Sequence, residues 1–399
     1  MSGTRRKPGH MGPFIDGFRA RLLELGYTPG TVRNELKLVG QLGLWMESEG
    51  IEVSQLTKDL IEEFISARRA AGRRKVPTIR GFASVLEFLR SAGVLLPESP
   101  PLTPVDEVVG DYKNWLVLER GLAAPTVLRY ETLARRFLQE RADDVGDRFV
   151  ESLMGTHVVG FLVRECGRLS VGGGKGRVAE LRSLLRFLYL RGLTSLPLAA
   201  AVPPVAGWHE TGIPAGIAPD DVQRLLDGCD RSSSGGIRDF AILTLVARLG
   251  LRSAEVARLE LDDIDWRAGE IVVRGKARRH DRLPMPIDVG KALTAYLCNA
   301  RPAVAVREVF LAEKAPTRAI RPDLVSDVTR RACERVGVPR VGAHRLRHAL
   351  ASELLRRGAT LVEVSQVLRH RDLATTAIYA KVDLSSLRGV ALPWPGATL

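Results

Sequence analysis

The stretch AHRLRHALASELLRRGATLVEVSQVLRHRDLATTAIYAKVD, residues 343–383, holds the densest set of side chains suited to chemistry in this chain. His344 and Arg347 stand three residues apart in a pattern that predicts a helix, so they share one face and can converge on a single anion. His370 follows the next predicted helix, and Tyr379 comes nine residues later. We expect these side chains to meet only if the intervening helices fold back on each other.

A second group of polar residues lies upstream. In LGLRSAEVARLELDDIDW, Arg252 follows Gly250 at a predicted helix break, and Glu255 comes three residues later. Lys276 lies 24 residues beyond Arg252, in IVVRGKARRHDRLPMP, where two predicted strands flank a polar turn. Other basic residues crowd the same turn, and we assign the reactive lysine to Lys276.

Together these residues resemble the catalytic region of the tyrosine recombinase, or phage integrase, family. That region carries Arg in G-L-R-x-x-E, Lys in a β-hairpin turn, H-x-x-R, a second His or Trp, and Tyr, in this order. The resemblance covers about residues 206–383 and implies a site-specific DNA recombinase that needs neither a metal nor ATP, and hence no cofactor. All six reactive residues are present in family-like contexts: Arg252, Lys276, His344, Arg347, His370 and Tyr379.

The arginines and the tyrosine fit phosphoryl transfer. A phosphodiester attacked by a phenol gains negative charge on its non-bridging oxygens, and the guanidiniums of Arg252 and Arg347 are suited to bind these oxygens. Tyr379 is the expected nucleophile that forms the covalent intermediate. The resemblance implies that cleavage leaves a 3′-phosphotyrosine and a free 5′-hydroxyl.

The resemblance also implies roles for the remaining residues. Lys276 would protonate the leaving 5′-oxygen as general acid, and His344 would assist proton transfer. His370 would form a hydrogen bond with a non-bridging oxygen. Glu255 is expected to be unreactive and to orient the arginines or His344.

Two residues depart from the family's pattern. Ser253 stands where an aliphatic residue usually follows the first arginine, and Arg369 stands where glycine usually precedes the second histidine. If that position adopts a left-handed backbone conformation at a helix end, a side chain there costs about 1 kcal/mol. Neither departure removes a reactive group.

The pentapeptide HRLRH invites comparison with zinc-binding helices, because His344 and His348 stand four residues apart. The metalloprotease motif requires Glu directly after the first His, and Arg345 occupies that place. We therefore expect no metal site, and we expect His348 to pack or to form a hydrogen bond behind the reactive residues. The cysteines are too dispersed for a zinc ribbon or a disulfide framework and are expected to be reduced: Cys166, Cys229, Cys298 and Cys333.

Apolar residues recur at helical spacing over residues 14–95 and again over 108–192. The similar order of segments favours a weak duplication of a four-helix unit, although two unrelated bundles would share such spacing. A proline-rich connector at 196–219 leads into a mixed pattern with a predicted hairpin of strands 270–274 and 282–286. The predicted fold is therefore mainly α, with helical N-terminal domains and a small antiparallel β-sheet in a mixed α+β catalytic domain of the tyrosine recombinase type.

The predicted domain division has five parts. They are an extra N-terminal helical domain (1–105), a SAM-like core-binding helical domain (106–198), a linker (199–217), the catalytic domain (218–383) and a C-terminal tail (384–399). The first part is expected to bind arm-type DNA or another subunit, with a simple packing extension as the alternative. Within the second part, GGGKGR at residues 172–177 is interpreted as a loop, either flexible or able to approach DNA.

Lys and Arg outnumber Asp and Glu by 59 to 46, which gives a formal net charge of +13 and suits a polyanionic partner. The resemblance makes that partner double-stranded DNA with a specific recombination site, bound by a dimer at each site and a tetramer in synapsis. Accessory recombinases or host factors are further expected partners. No apolar run reaches the roughly 18 residues of a membrane span, so we expect a cytoplasmic protein associated with the nucleoid.

Several functions share this chemistry. The extra N-terminal segment favours the integrase or transposase of a mobile element, with a recombinase that resolves replicon dimers as the alternative. A type IB topoisomerase generally carries Lys in place of the His of H-x-x-R, which argues against that function. A catalytically silent DNA-binding accessory protein would have lost the nucleophile or an arginine, and this sequence retains both.

Overall fold

The computed structural model describes residues 9–72, 77–96, 102–205, 217–275 and 280–370, together with Thr376 and Tyr379. These residues belong to two compact units, of which Pro97–Thr211 is one and Met1–Leu96 with Gly212–Leu399 is the other. Lys276 and the predicted C-terminal tail lie outside the described residues. The predicted domain boundaries remain predictions.

The described residues up to 96 contain four α-helices: α1 (Ile15–Glu24), α2 (Pro29–Glu49), α3 (Lys58–Ala70) and α4 (Ala83–Ser91). Threonine side chains begin two of them. Thr28 accepts a hydrogen bond from the backbone N–H of Thr31 before α2, and Thr57 accepts one from Leu60 before α3. Gly50 ends α2 in the left-handed conformation, with φ 71°. The apolar faces of these helices form their own core.

The unit Pro97–Thr211 likewise has four α-helices in its described part: α5 (Pro104–Leu118), α6 (Ala124–Val145), α7 (Gly155–Cys166) and α8 (Val171–Leu190). Thr103 and Asp106 form a reciprocal capping box at the start of α5, which satisfies backbone N–H groups that a helix start leaves unpaired. A second apolar core fills this unit, and in it the rings of Tyr112 and Trp115 lie 5.2 and 5.7 Å from that of Phe187. Such pairs stabilise a helical core beyond their buried area.

The interpretation of GGGKGR as a loop is wrong, because residues 172–177 lie near the start of α8. Ser170 accepts a hydrogen bond from the backbone N–H of Gly173 and thereby caps the helix. A Cβ at Gly174 would lie 3.4 Å from Val205. A Cβ at this distance would be in ordinary contact. The buried apolar face of α8, which includes Val178 and Leu181, offsets the low helix propensity of the glycines, and the cap adds about 1 kcal/mol.

The C-terminal part of the larger unit is mixed α and β. In chain order its elements are α9 (Pro219–Asp227), α10 (Ser234–Leu249), α11 (Ser253–Ala257), β1 (Ile264–Asp265), β2 (Glu270–Arg274), β3 (His280–Pro284), α12 (Ile287–Asn299), α13 (Pro322–Val336), α14 (Ala343–Arg356) and α15 (Leu361–Leu368). The strands form an antiparallel sheet in the order β1–β2–β3, with Ile271 paired to Ile264 on one side and to Leu283 on the other. The predicted hairpin is present, but its second strand begins at His280, two residues earlier than predicted.

Helix α10 lies at the centre of this part. Most of its residues are buried, and it packs against α12, α13 and α14. A helix that is apolar on all sides is expected inside a core. This placement brings the end of α10 next to α14, which in turn packs against α15.

The predicted fold class is confirmed: the chain is mostly helical, with one small antiparallel sheet in its C-terminal part. None of the helices in the described ranges is long and apolar enough to cross a membrane.

Candidate active site

Three helix ends bring polar residues together: the turn from α10 to α11, the first turn of α14 and the end of α15. Gly250 ends α10 with φ 58°, and a Cβ there would lie 2.9 Å from Cδ2 of Leu368 and 3.1 Å from Cδ2 of Leu350. Glycine suits both the left-handed backbone and this close packing. The chain can therefore turn beside α14 and α15, and Arg252 follows at the start of α11.

Arg347 on α14 is only 2% exposed although it carries a charge. Its Nη1 donates to the carbonyl of Gly250 and its Nη2 to the carbonyl of Leu368, so the side chain joins the end of α10 to the end of α15. Burial first, and then the charges of Arg252 and Arg369, lower the pKa of Arg347 to about 10. The guanidinium therefore keeps its charge at neutral pH.

Glu255 is a buried carboxylate that links two arginines. Its Oε1 accepts from Nη1 of Arg252 at 2.6 Å, and its Oε2 accepts from the backbone N–H of Arg252 at 2.9 Å and from Nη2 of Arg369 at 2.8 Å. Burial alone would raise the pKa of Glu255, but Arg369 and Arg252 outweigh it and hold the pKa below the usual range. The side chain of Arg252 is 44% exposed. Its guanidinium is thus fixed on one side and open to solvent on the other.

Tyr379 is 1% exposed and forms a hydrogen bond of 2.6 Å with Nδ1 of His348. Burial raises the pKa of Tyr379, and the nearby charge of Arg347 opposes this only in part. Burial, followed by the neighbouring His344, lowers the pKa of His348 to about 4. At neutral pH the phenol is therefore protonated and the imidazole neutral. In the tautomer of His348 that carries the ring proton on Nε2, Tyr379 Oη donates and Nδ1 accepts, so this tautomer can take the proton of the phenol.

His344 and His370 flank this pair. The ring centroid of His344 lies 4.3 Å from that of His348, and the ring of His370 lies 6.5 Å from that of Tyr379 at an interplanar angle of 6°. Nδ1 of His370 shares a hydrogen bond of 2.7 Å with Oγ1 of Thr376. Burial first, and then the charges of the arginines in the site, lower the pKa of His370 to about 4. The same causes lower the pKa of His344.

The combination of groups suits a phosphodiester. Two guanidiniums can bind the non-bridging oxygens of a phosphate, since arginine matches such oxyanions with fixed, paired donors. A phenol supplies an oxygen nucleophile, and neutral imidazoles can accept or relay its proton. Across the ranges that the structure describes, no group of three or more His, Cys, Asp or Glu side chains is placed to hold a metal ion.

Comparisons with known proteins agree with this chemistry. Residues 216–385 match the phage integrase family. The chain is 40% identical over 401 residues to a Sinorhizobium fredii protein named integrase/recombinase y4rA, and the alignment covers 98% of this chain and 97% of that protein. It is 33% identical over 303 residues to the tyrosine recombinase XerD of Mycobacterium tuberculosis, and this alignment covers 72% of this chain and 95% of XerD.

The chain belongs to the phage integrase family of tyrosine recombinases. It is a site-specific recombinase, as its sequence predicts. The XerH site-specific recombinase, solved in a post-cleavage complex with its difH substrate, shares the fold at a TM-score of 0.54 and 17% identity, over 73% of this chain and 97% of that one. XerD and XerH are thus matched over nearly their whole length, whereas more than a quarter of this recombinase extends beyond each alignment.

The structure of the recombinase brings together five of the six predicted reactive residues: Arg252, His344, Arg347, His370 and Tyr379. The sixth, Lys276, lies outside the described residues. Glu255 contacts Arg252 directly, whereas no described hydrogen bond joins it to His344. The individual roles of these residues remain predictions.

Two further residues of the recombinase take part in this arrangement. His348 forms a hydrogen bond with Tyr379. The sequence indicates its closeness to the site only by its place one helical turn after His344, on the same helix face. Arg369 is identified by sequence only as a departure from glycine. Its φ of 54° confirms the left-handed conformation that the family's glycine suggested, but its side chain also enters the site.

We expect the recombinase to lose stability in mild acid through His348 and His370. Both have a pKa of about 4 when folded and an ordinary value near 6.5 when unfolded, so below pH 6.5 the unfolded chain binds more protons. The free energy of unfolding should therefore fall by about 1 kcal/mol per histidine between pH 7 and pH 5.5. Urea unfolding of wild type, His348→Gln and His370→Gln at both pH values measures this. Identical losses in all three proteins would contradict it.

Proposed function

We propose that this recombinase cuts and rejoins duplex DNA through a 3′-phosphotyrosine at Tyr379, as the integrase or transposase of a mobile element. The observation that carries the proposal is the hydrogen bond of 2.6 Å between Tyr379 and a neutral histidine, His348, close to the charge of Arg347. A tyrosine with a proton acceptor on one side and phosphate-binding cations on the other has what a covalent transfer requires.

Charge balance supports phosphate binding at this site. Arg252, Arg347 and Arg369 carry three positive charges, and the buried Glu255 carries one negative charge. The remaining positive charge faces an incoming phosphodiester, whose transition state gains further negative charge on its non-bridging oxygens. Fixed donors aimed at developing charge need no reorganisation during the reaction, which is the main source of such stabilisation.

The proposed cleavage step balances as follows. Tyr379 Oη bonds to the scissile phosphorus, and its proton passes to Nδ1 of His348, with His344 assisting. The bond from phosphorus to the 5′-oxygen breaks, and Lys276 protonates that oxygen, while His370 forms a hydrogen bond with a non-bridging oxygen. Attack by the 5′-hydroxyl of a new strand reverses these events and releases Tyr379. One ester replaces another, so rejoining requires no ATP.

The burial of Tyr379 supports a requirement for DNA before cleavage. With 1% of its surface exposed, the phenol lies within a core that also contains Ala351, Leu355 and Leu368. A phosphorus atom can be attacked only when its attacking oxygen is accessible. We therefore propose that binding to the recombination site uncovers both Tyr379 and Arg347, which is 2% exposed.

The extent of the alignments favours the mobile-element function over dimer resolution. The integrase/recombinase y4rA aligns with 98% of this chain, whereas XerD aligns with 72%. We propose that the additional length lies in the N-terminal residues 1–105 and that these residues bind arm-type DNA or another subunit. We further propose a dimer at each site, a tetramer in synapsis, docking of the tail 384–399 into a neighbour, and action at the nucleoid in the cytoplasm.

The test is a nicked suicide duplex that carries the recombination site, recovered beforehand by selecting bound DNA from a random library. Incubation without divalent metal should give a protein–DNA adduct that survives denaturation, together with a fragment that has a free 5′-hydroxyl. Peptide mapping should locate the bond at Tyr379. Tight binding of the selected site without an adduct would instead support a catalytically silent DNA-binding protein. A second assay separates the two biological functions. Insertion of a circular donor would support the integrase or transposase, and resolution of directly repeated sites would support the dimer-resolving recombinase.

Binding to this duplex should weaken steeply with salt. A protein that neutralises six or more phosphates releases their counterions and loses on the order of 10³-fold in affinity between 50 and 200 mM salt. The measurement is the dissociation constant, by fluorescence anisotropy, over this range. A constant that does not change with salt would contradict binding through contacts to the phosphate backbone of the DNA.

A further inference from the structure

Arg369 ends α15 in a backbone conformation that side chains rarely adopt. With φ 54° and ψ 46°, it is the one non-glycine residue with positive φ among the described residues. Its backbone N–H donates to the carbonyl of Gln366, which any residue could do. Glycine adopts this conformation freely. An arginine here costs about 1 kcal/mol relative to glycine, so we ask what its side chain stabilises in return.

That side chain turns inward and forms a buried ion pair. Nη2 of Arg369 lies 2.8 Å from Oε2 of Glu255, and the two side chains are each 6% exposed. Nη1 donates to the carbonyl of Val367 at 3.1 Å. A buried ion pair needs good geometry and further hydrogen bonds to offset the loss of hydration, and both oxygens of Glu255 are occupied here.

Arg369, Glu255 and Arg252 form a cyclic hydrogen-bond network. Glu255 accepts from both arginines, and the backbone carbonyl of Arg369 accepts from Nη2 of Arg252 at 3.2 Å. Arg252 is therefore held through Nη1 by the carboxylate and through Nη2 by the end of α15. A glycine in place of Arg369 would retain the carbonyl and remove the second cation on Glu255.

We infer that Arg369 is a positioning residue for strand cleavage: its guanidinium fixes Glu255, and Glu255 in turn aims the guanidinium of Arg252 at the scissile phosphate. This rests on the proposed function of the site. Arg369 also balances the negative charge of Glu255, so that Arg252 need not do so alone and remains available to the substrate. Arg369 itself touches neither the nucleophile nor the open face of Arg252 in the described contacts.

The test compares single-turnover cleavage of the suicide duplex by wild type, Arg369→Gly, Arg369→Lys, Glu255→Gln and the double variant Arg369→Gly with Glu255→Gln. Arg369→Gly should cleave about 10- to 100-fold more slowly, the scale for residues that orient a reactive group. Its DNA affinity should stay within about threefold. Arg369→Lys should recover part of the rate, because an ammonium supplies the charge without the planar fork that reaches both Glu255 and the carbonyl of Val367.

The double variant and the pH profile separate positioning from a merely structural effect. If Arg369 acts through Glu255, its removal should cost little more once Glu255 is glutamine, so the two losses should not multiply. Arg369→Gly should also lose further activity between pH 7 and pH 5.5, because Glu255 then protonates more readily. The matched control is Arg357→Ala, which removes an exposed arginine paired with Glu353 at the end of α14 and should leave the rate within about twofold.

The inference would be overturned if Arg369→Gly cleaved as fast as wild type. It would also be overturned if the rate losses of the two single variants multiplied in the double variant. The thermal midpoint of each variant shows whether it is folded, and Arg369→Gly has the less strained backbone. If wild type forms the Tyr379 adduct while Arg369→Gly matches its rate, the inference fails and the proposed function stands. If wild type forms no adduct on a duplex that it binds, both fail.

Discussion

Tyr379→Phe is expected to abolish the covalent protein–DNA adduct, with a decrease of more than about 10⁴-fold in cleavage, the scale for removing a nucleophile. The substitution removes one oxygen atom and keeps the ring that packs in the apolar core of α14 and α15. Nδ1 of His348 loses its hydrogen-bond partner, which costs about 1 kcal/mol. The variant should therefore fold and bind the recombination site with an affinity close to that of wild type. The measurements are the denaturing gel and the binding isotherm.

Tyr296→Phe provides the matched control. Tyr296 is also buried, and its hydroxyl accepts from the backbone N–H of Leu311 at 3.1 Å, away from the reactive residues. Loss of this hydroxyl should destabilise the protein by about 1 to 3 kcal/mol, because the N–H is left unpaired, and adduct formation by the folded protein should continue. An adduct formed by Tyr379→Phe at the wild-type rate would show that another residue is the nucleophile.

Local patterns explain why much of the fold could be predicted from sequence. Leu361–Leu368 is the helix that the sequence predicts before His370, because a threonine cap and apolar periodicity mark it within a few residues. The hairpin could be predicted from local sequence too, as two short strands around a polar turn. The strand β1 has two residues, too few for any periodic signal. The glycines of GGGKGR indicate a loop by composition, but the cap at Ser170 and the packing of the apolar face of α8 in its core favour the helix.

The site could be predicted only in part, because long-range contacts decide its details. The reactive residues are recognisable from their order and local context. The ion pair between Arg369 and Glu255, by contrast, joins residues 114 positions apart, and no periodicity indicates it. His348 could be placed on the helix face of His344, but its bond to Tyr379 depends on how the chain after α15 returns to α14.

Arg347→Lys is expected to reduce cleavage by about 10³-fold, even though the charge is retained. Removing one donor to a developing oxyanion costs roughly 10²- to 10³-fold, and this substitution also loses the planar fork that serves several acceptors at once. Arg347 donates to the carbonyls of both Gly250 and Leu368. A single ammonium on a flexible chain cannot hold both carbonyls and also present a donor to the phosphate. The measurement is single-turnover cleavage at saturating protein.

Stability must be separated from chemistry in this variant, because Arg347 also joins α10 to α15. Arg301→Lys is the matched control, since Arg301 likewise donates to backbone carbonyls, to Val309 at 3.1 Å and Glu308 at 2.9 Å, outside the site. Both substitutions should lower the free energy of unfolding by about 1 to 3 kcal/mol, and only Arg347→Lys should slow cleavage by the folded protein. If the two variants lose the same fraction of activity, Arg347 acts through the fold alone, and phosphate binding falls to Arg252.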